Sequence, residues 1–298
     1  VNRASLAVLA VAGASLVVLA VSAAPLLTSP AQSAAPQAAG AASPDFTLSG
    51  ELTQGGWARG VAPAGTTRLT LDGKPVAVAA DGRFLIAFDR DAGPAATLAA
   101  TRPDGQVLSR PLAISSRAWR IERLPIGPRP GTAPSEEFQR RRAAELARIN
   151  AARAIDSQSQ GWRQRFIWPA KGRVSGLFGS QRIYNGTPGS YHSGTDIATG
   201  ASGTPFVVPA DGVVILAAQT PFTLEGYLLM IDHGMGLNSA FLHCSALLVK
   251  EGDVVKQGQT IGRIGATGRA TGPHLHWSIK WRDSRLDPLL FVGPMPAR

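Results

Sequence analysis

Two short histidine-bearing segments, far apart along the chain, set the strongest condition on how it can fold. One reads His192-Ser-Gly-Thr-Asp196 and the other His274-Leu-His276. In extended backbone successive side chains point to opposite faces, so residues two or four apart return to the same side. His274 and His276 then share a face, while Leu275 points the other way into a core. His192 and Asp196 likewise return to one side of an extended stretch. A fold that gathers these side chains assembles the parts of a hydrolytic zinc site. Two neutral imidazoles plus one carboxylate leave a tetrahedral zinc one open position for a water, whereas four protein ligands would make a structural site.

The 298 residues give room for two ordinary domains and a tail or linker. A 44% hydrophobic content can build a core, and 33 glycines with 22 prolines suit short strands joined by turns. The single cysteine, Cys244, excludes an intramolecular disulfide and a Cys-rich zinc knuckle. Residues 1–23 begin with a positive Val1-Asn2-Arg3, continue through an apolar run and offer small residues at Val21-Ser22-Ala23. This pattern reads as a secretory signal cleaved after Ala23, or as an uncleaved membrane anchor. Either places the rest outside the cytoplasm, in the periplasm or secreted. Losing Arg3 takes the net charge only from +10 to +9. That charge favours carboxylate- or phosphate-bearing partners such as acidic envelope polymers. No motif combines aromatic and basic residues, so nucleic acid is not an expected partner.

The chain reads as mainly β. Residues 24–44 are rich in Ala, Pro, Ser and Gln, a flexible leader. Residues 45–118 carry short apolar runs separated by Asp72-Gly73, Asp81-Gly82 and Asp104-Gly105, which are hairpin-turn dipeptides. They predict a small β-sandwich without catalytic residues, serving as a wall-binding module or as a spacer. Residues 119–160 form a proline-rich connector and a basic helix. Ser135 is its expected N-cap, Glu136 and Glu137 suit the first turn, and the helix runs to about Ile155. Phe138, Leu146, Ile149 and Ala152 make its expected apolar stripe. Residues 161–298 read as nearly all strand, without a second long helix.

The His192-x-x-x-Asp196 pair, Phe241-Leu-His243 and Gly272-Pro-His274-Leu-His276 resemble the three signatures of the M23 family of zinc peptidases, which includes lysostaphin and the LytM-type cell-wall endopeptidases. The resemblance covers about residues 165–292 and implies a β-sheet or barrel-sandwich catalytic domain. It implies zinc as cofactor, with His192, Asp196 and His276 as ligands, and His243 and His274 as non-ligand active-site histidines. It also implies peptidoglycan as substrate. Zinc lowers the pKa of its water from about 15.7 toward roughly 7. With no His-Glu-x-x-His helix to supply a glutamate base, one of His243 and His274 must accept the water proton or hydrogen-bond the developing oxyanion; the expected split gives His243 the base-like role and His274 orientation and stabilisation.

Four of the five histidines fall within these motifs; the fifth, His233, reads as structural. Cys244 next to His243 reads as a buried small hydrophobe. Phe241 stands where many relatives have tyrosine, which puts any contribution of that hydroxyl in doubt. Tyr184 and Tyr191 are candidates to line the cleft. Gly252-Asp-Val-Val-Lys256 resembles a lipoyl-carrier turn, a likeness of barrel geometry. Two rivals remain: a non-enzymatic envelope regulator that activates another wall hydrolase, and a peptidase acting on another exported glycine-rich protein. Degenerate relatives that regulate lose zinc ligands, whereas this chain keeps all three.

Overall fold

The computed structural model describes residues 45–126 and 135–295. The expected signal or anchor, the leader and the proline-rich residues 127–134 lie outside the described residues. Eight strands precede the helix among the described residues: β1 (Thr47–Gly50), β2 (Trp57–Val61), β3 (Arg68–Leu71), β4 (Lys74–Val76), β5 (Arg83–Ala87), β6 (Ala95–Thr101), β7 (Val107–Ala113) and β8 (Ile121–Leu124). Strands β1-β2-β5 form one antiparallel sheet and β4-β3-β6-β7 another. Asp72 and Gly73 both take positive φ in the β3–β4 hairpin, as their turn chemistry requires.

Helix α1 (Glu136–Arg153) starts where its cap places it, with the Ser135 side chain accepting from the Phe138 N–H. Its buried face is Glu145, Ile149 and Ala152. Leu146, expected in the apolar stripe, is 41% exposed, because the docking line runs one residue earlier. Glu145 tolerates burial because Thr223 donates to it from its N–H (2.7 Å) and its hydroxyl, while Arg141 and Arg142 flank it at 3.2 and 3.3 Å.

The strands that follow are β9 (Arg173–Gly176), β10 (Gln181–Tyr184), β11 (Thr187–Pro188), β12 (Thr195–Ala198), β13 (Pro205–Val207), β14 (Gly212–Ala217), β15 (Tyr227–Asp232), β16 (Leu237–Cys244), β17 (Ala246–Leu247), β18 (Val254–Val255), β19 (Thr260–Arg263), β20 (Leu275–Trp281) and β21 (Ser284–Leu286). The main sheet runs β18-β14-β15-β16-β20-β12-β9, with β21 beside β20. Its inner face buries Ile197, Leu229, Ile231, Phe241, Leu275 and Trp277. Its outer face receives α1, where Ile149 and Ala152 pack with Leu216, Leu228, Met230 and Ala240. The fold is mainly β, as expected from the sequence. No helix among the described residues is long and apolar enough to cross a membrane.

His233 ties this sheet internally. It is fully buried, with Nδ1 against the Asp211 carbonyl and Nε2 against the Ser239 hydroxyl, both at 2.9 Å. Burial pushes its imidazole down to about 4 from 6.5. Its contribution to stability is complete above pH 6.5 and is lost as pH falls toward 4, because the unfolded chain takes up a proton that the folded one refuses. The loss reaches about 3 kcal/mol at the acid end. His233→Gln should therefore flatten the melting-temperature profile over this pH window; an unchanged slope contradicts the assignment.

Candidate functional site

Three adjacent strands, β16, β20 and β12, carry the site on their outer face. Register places Asp196 opposite His276, and His276 opposite Leu242. Residues directly opposite in a ladder share a face, so Asp196 and His276 meet on the side away from the core. Leu275 between the two histidines is fully buried on the inner side. His192 arrives differently from the sequence expectation. It lies in an irregular stretch before β12 rather than within a strand, so alternation alone does not position it. Its N–H donates to the Ser180 carbonyl and its own carbonyl accepts from the Gly179 N–H, both at 2.8 Å.

His192 Nε2, Asp196 Oδ1 and His276 Nδ1 converge, with separations of 3.1, 3.0 and 2.9 Å. Donors held about 2.0–2.1 Å from a tetrahedral zinc stand about 3.3–3.4 Å apart, so a slight opening of this trio accommodates the ion. The donor chemistry also fits. The His192 Nδ1–H donates to the Leu177 carbonyl at 3.0 Å, which leaves Nε2 unprotonated for a metal. Burial pulls the Asp196 carboxyl upward, but the His192 and His276 imidazoles that face it outweigh burial and hold Asp196 well below the usual carboxylate range. Burial pushes His276 down, toward the neutral form that a metal needs. His192 is raised: burial opposes its charged form, but the Asp196 carboxylate more than compensates.

His243 and His274 complete the cluster, their rings 4.9 Å apart, with His243 6.2 Å from His276. Each is fixed by a backbone carbonyl that can only accept: Thr267 for His243 Nδ1 at 2.9 Å and Gly272 for His274 Nδ1 at 2.8 Å. Both rings therefore present an unprotonated Nε2 when neutral. His274 Nε2 lies 3.7 Å from Asp196 Oδ1. Burial lowers His243, which favours the neutral imidazole. The His243 backbone is left-handed, with φ +64°, a conformation costing about 1–2 kcal/mol for an L-residue. A 2.8 Å hydrogen bond from its N–H to the Glu225 carbonyl helps to hold it there.

That left-handed residue also breaks the strand's alternation. Cys244 joins Phe241 in the inner core, three positions away. Its thiol is pushed up to about 12 by burial and is inert. Phe241 is fully buried against Phe206, so a tyrosine hydroxyl at this position would lie on the core side. Lys256 pairs with Asp211 at 2.9 Å.

Several contributors were not singled out from sequence. Gly176 faces Asp196 so closely that a Cβ would sit 2.2 Å from its Oδ2, and at Gly194 one would sit 2.7 Å from His276 Nε2. The glycine inside the His192–Asp196 motif was the available signal for the second. Arg90, in the loop after β5, is buried and donates to the Gly179 carbonyl and Gln181 Oε1, both at 3.0 Å. Its guanidinium lies 4.7 Å from the Tyr191 ring centre. The first half of the chain thus braces the loop that holds His192. The trio opens onto a groove with lobes of about 970 and 380 Å³, both lined by Tyr191, His192, Asp196 and Arg269. Tyr184 lines the larger lobe. Glu225, Leu242, His243 and His274 line the smaller one.

Comparison with known proteins adds a family. The family model described as peptidase family M23 matches residues 190–288. The crystal structure of an M23 peptidase-family protein from Pseudomonas aeruginosa aligns with a TM-score of 0.60 at 30% identity, covering 81% of this chain and 95% of that one. Peptidoglycan DD-endopeptidase ShyA of Vibrio cholerae is 40% identical over 135 residues, 45% of this chain and 31% of ShyA. Murein hydrolase activator NlpD of Escherichia coli is 34% identical over 133 residues, 44% of this chain and 31% of NlpD. The chain spans less than a third of the length of either of these two relatives.

The site geometry makes a direct prediction. Gly176→Ala should push the Asp196 carboxylate out of the trio and weaken zinc binding by about 10–100-fold, measured by competition with a chelator. Unchanged affinity would show that Asp196 is not held by this contact.

Proposed function

Because this chain belongs to peptidase family M23, we propose that it is a zinc-dependent endopeptidase that hydrolyses peptide bonds in peptidoglycan. It works outside the cytoplasm, in the periplasm or as a secreted protein, with residues 1–23 as its signal or anchor. The observation that carries this reading is the complete, convergent trio of His192, Asp196 and His276, with two more histidines beside it.

We assign His192 Nε2, Asp196 Oδ1 and His276 Nδ1 as the zinc donors. When bound there, zinc supplies a Lewis acid for a peptide carbonyl and lowers the pKa of water from about 15.7 toward about 7. The remaining roles fall to the chain. His243, neutral and with its Nδ1–H tied to Thr267, accepts a proton from the attacking water at Nε2. His274, fixed through Nδ1 by Gly272, orients the substrate, and in the imidazolium form its Nε2–H donates to the developing oxyanion. The groove holds the peptide on either side of the scissile bond. Residues 45–118 act as a bracing and orienting module, a role that the Arg90 contacts support.

The likeness to NlpD favours a second reading, a non-enzymatic regulator that activates another wall hydrolase. The intact donor trio and both additional histidines favour the enzyme. Digestion of purified peptidoglycan by the zinc-loaded protein, followed by mass spectrometry of released muropeptides, decides between them. The enzyme reading expects new peptide termini; no cleavage with zinc bound supports the regulator.

Two variants separate the roles. His276→Ala should lose zinc and activity together. His243→Ala should keep its zinc, measured by elemental analysis, and lose turnover by about a hundredfold or more. Full activity in His243→Ala would overturn the base assignment.

A further inference from the structure

The larger lobe of the groove carries charge that the proposed reaction does not use. Four arginines line it, Arg120, Arg173, Arg182 and Arg269, against two carboxylates, Glu122 and Asp196. Glu122 is taken by Arg182 at 2.7 Å, and Asp196 is turned to His192 and His276. Arg120, Arg173 and Arg269 make no ion pair or side-chain hydrogen bond among the described residues. A guanidinium stays charged at any working pH and binds carboxylates with two parallel N–H donors. Three of them left without partners around one cavity favour an anionic occupant.

The backbone of the lobe points to the same occupant. Strand β9 is the last strand of the main sheet, paired with β12 on one side only. Its residues Arg173 to Gly176 line the lobe. Residues of β10 and β8, paired in parallel with Arg182 opposite Glu122, line the same lobe. An edge strand offers unpaired N–H and C=O groups to which an extended peptide can add. Arg269 lines both lobes, so a peptide running along the edge would reach the trio past this side chain.

We propose that this lobe is a subsite for the carboxylate-bearing flank of a peptide substrate, with Arg120, Arg173 and Arg269 as its specificity-determining residues. The proposal rests on the peptidase reading for its placement beside the cut. Edge pairing with β9 supplies sequence-independent affinity, and the arginines select peptides whose branch points or side chains carry free carboxylates. Neutral peptides would engage the edge but not the charges.

Calorimetry tests this with soluble cross-linked muropeptides and the same muropeptides after amidation of their carboxyl groups. Binding is measured to the zinc-loaded full chain carrying His243→Ala, so that the ligand stays intact. It is repeated after adding Arg120→Gln, Arg173→Gln and Arg269→Gln. Amidation should weaken binding by about tenfold or more, the arginine substitutions should do the same, and the two together should add little. Equal binding of native and amidated ligands, or binding of neither, overturns the subsite. If the triple substitution fails to fold, the amidation comparison alone decides. Cleavage by the unsubstituted chain is read separately. Equal cleavage of both ligands contradicts the subsite and leaves the peptidase standing. Selective binding without any cleavage contradicts the peptidase and leaves the subsite standing.

Discussion

The backbone ladder that sets Asp196 opposite His276 is the constraint on which everything else rests. Strand register is all or nothing: a slip of one residue sends every side chain to the other face. Here the inner face fixes the register, because Ile197, Leu275, Trp277 and Phe241 are all fully buried there. Moving any of these strands by one residue would expose such side chains, each worth about 1.5–3 kcal/mol of burial. The core therefore aligns two of the proposed metal donors without touching them. The third, His192, is not under that control and needs separate support.

That support comes from outside the main sheet. Arg90 grips the Gly179–Gln181 loop, which in turn holds both backbone groups of His192. On the other side of the groove, Arg142 of α1 makes a two-pronged contact with Glu225 at 2.6 and 2.7 Å. The carbonyl of that same Glu225 accepts the N–H of His243. Both side chains of this pair are mostly buried, so removing one leaves the other's charge without its partner. Helix α1 and the loop after β5 thus act on the site from two sides, one for each end of the cluster.

Much of this was legible from the residues. The two-residue spacing of His274 and His276 correctly put Leu275 in the core. Ser135 marked the helix start, and Asp72-Gly73 marked a hairpin. The misses have definite physical causes. Leu146 looked like the docking stripe because sequence reasoning discounts a buried Glu145, which accepts two hydrogen bonds from Thr223, far along the chain. A left-handed backbone at His243 has no sequence mark, since histidine is not glycine. Its effect is to bring Cys244 into the core beside Phe241, where strict alternation would separate them. The close approach of Gly176 to Asp196 likewise depends on strand pairing that no local pattern encodes.

The most direct measurement is X-ray absorption at the zinc edge on the purified, zinc-loaded chain. The account predicts one zinc with only nitrogen and oxygen neighbours at about 2.0–2.1 Å, including the multiple-scattering signature of two imidazoles. Sulfur in the first coordination shell, a single imidazole, or failure to retain zinc at all would contradict it.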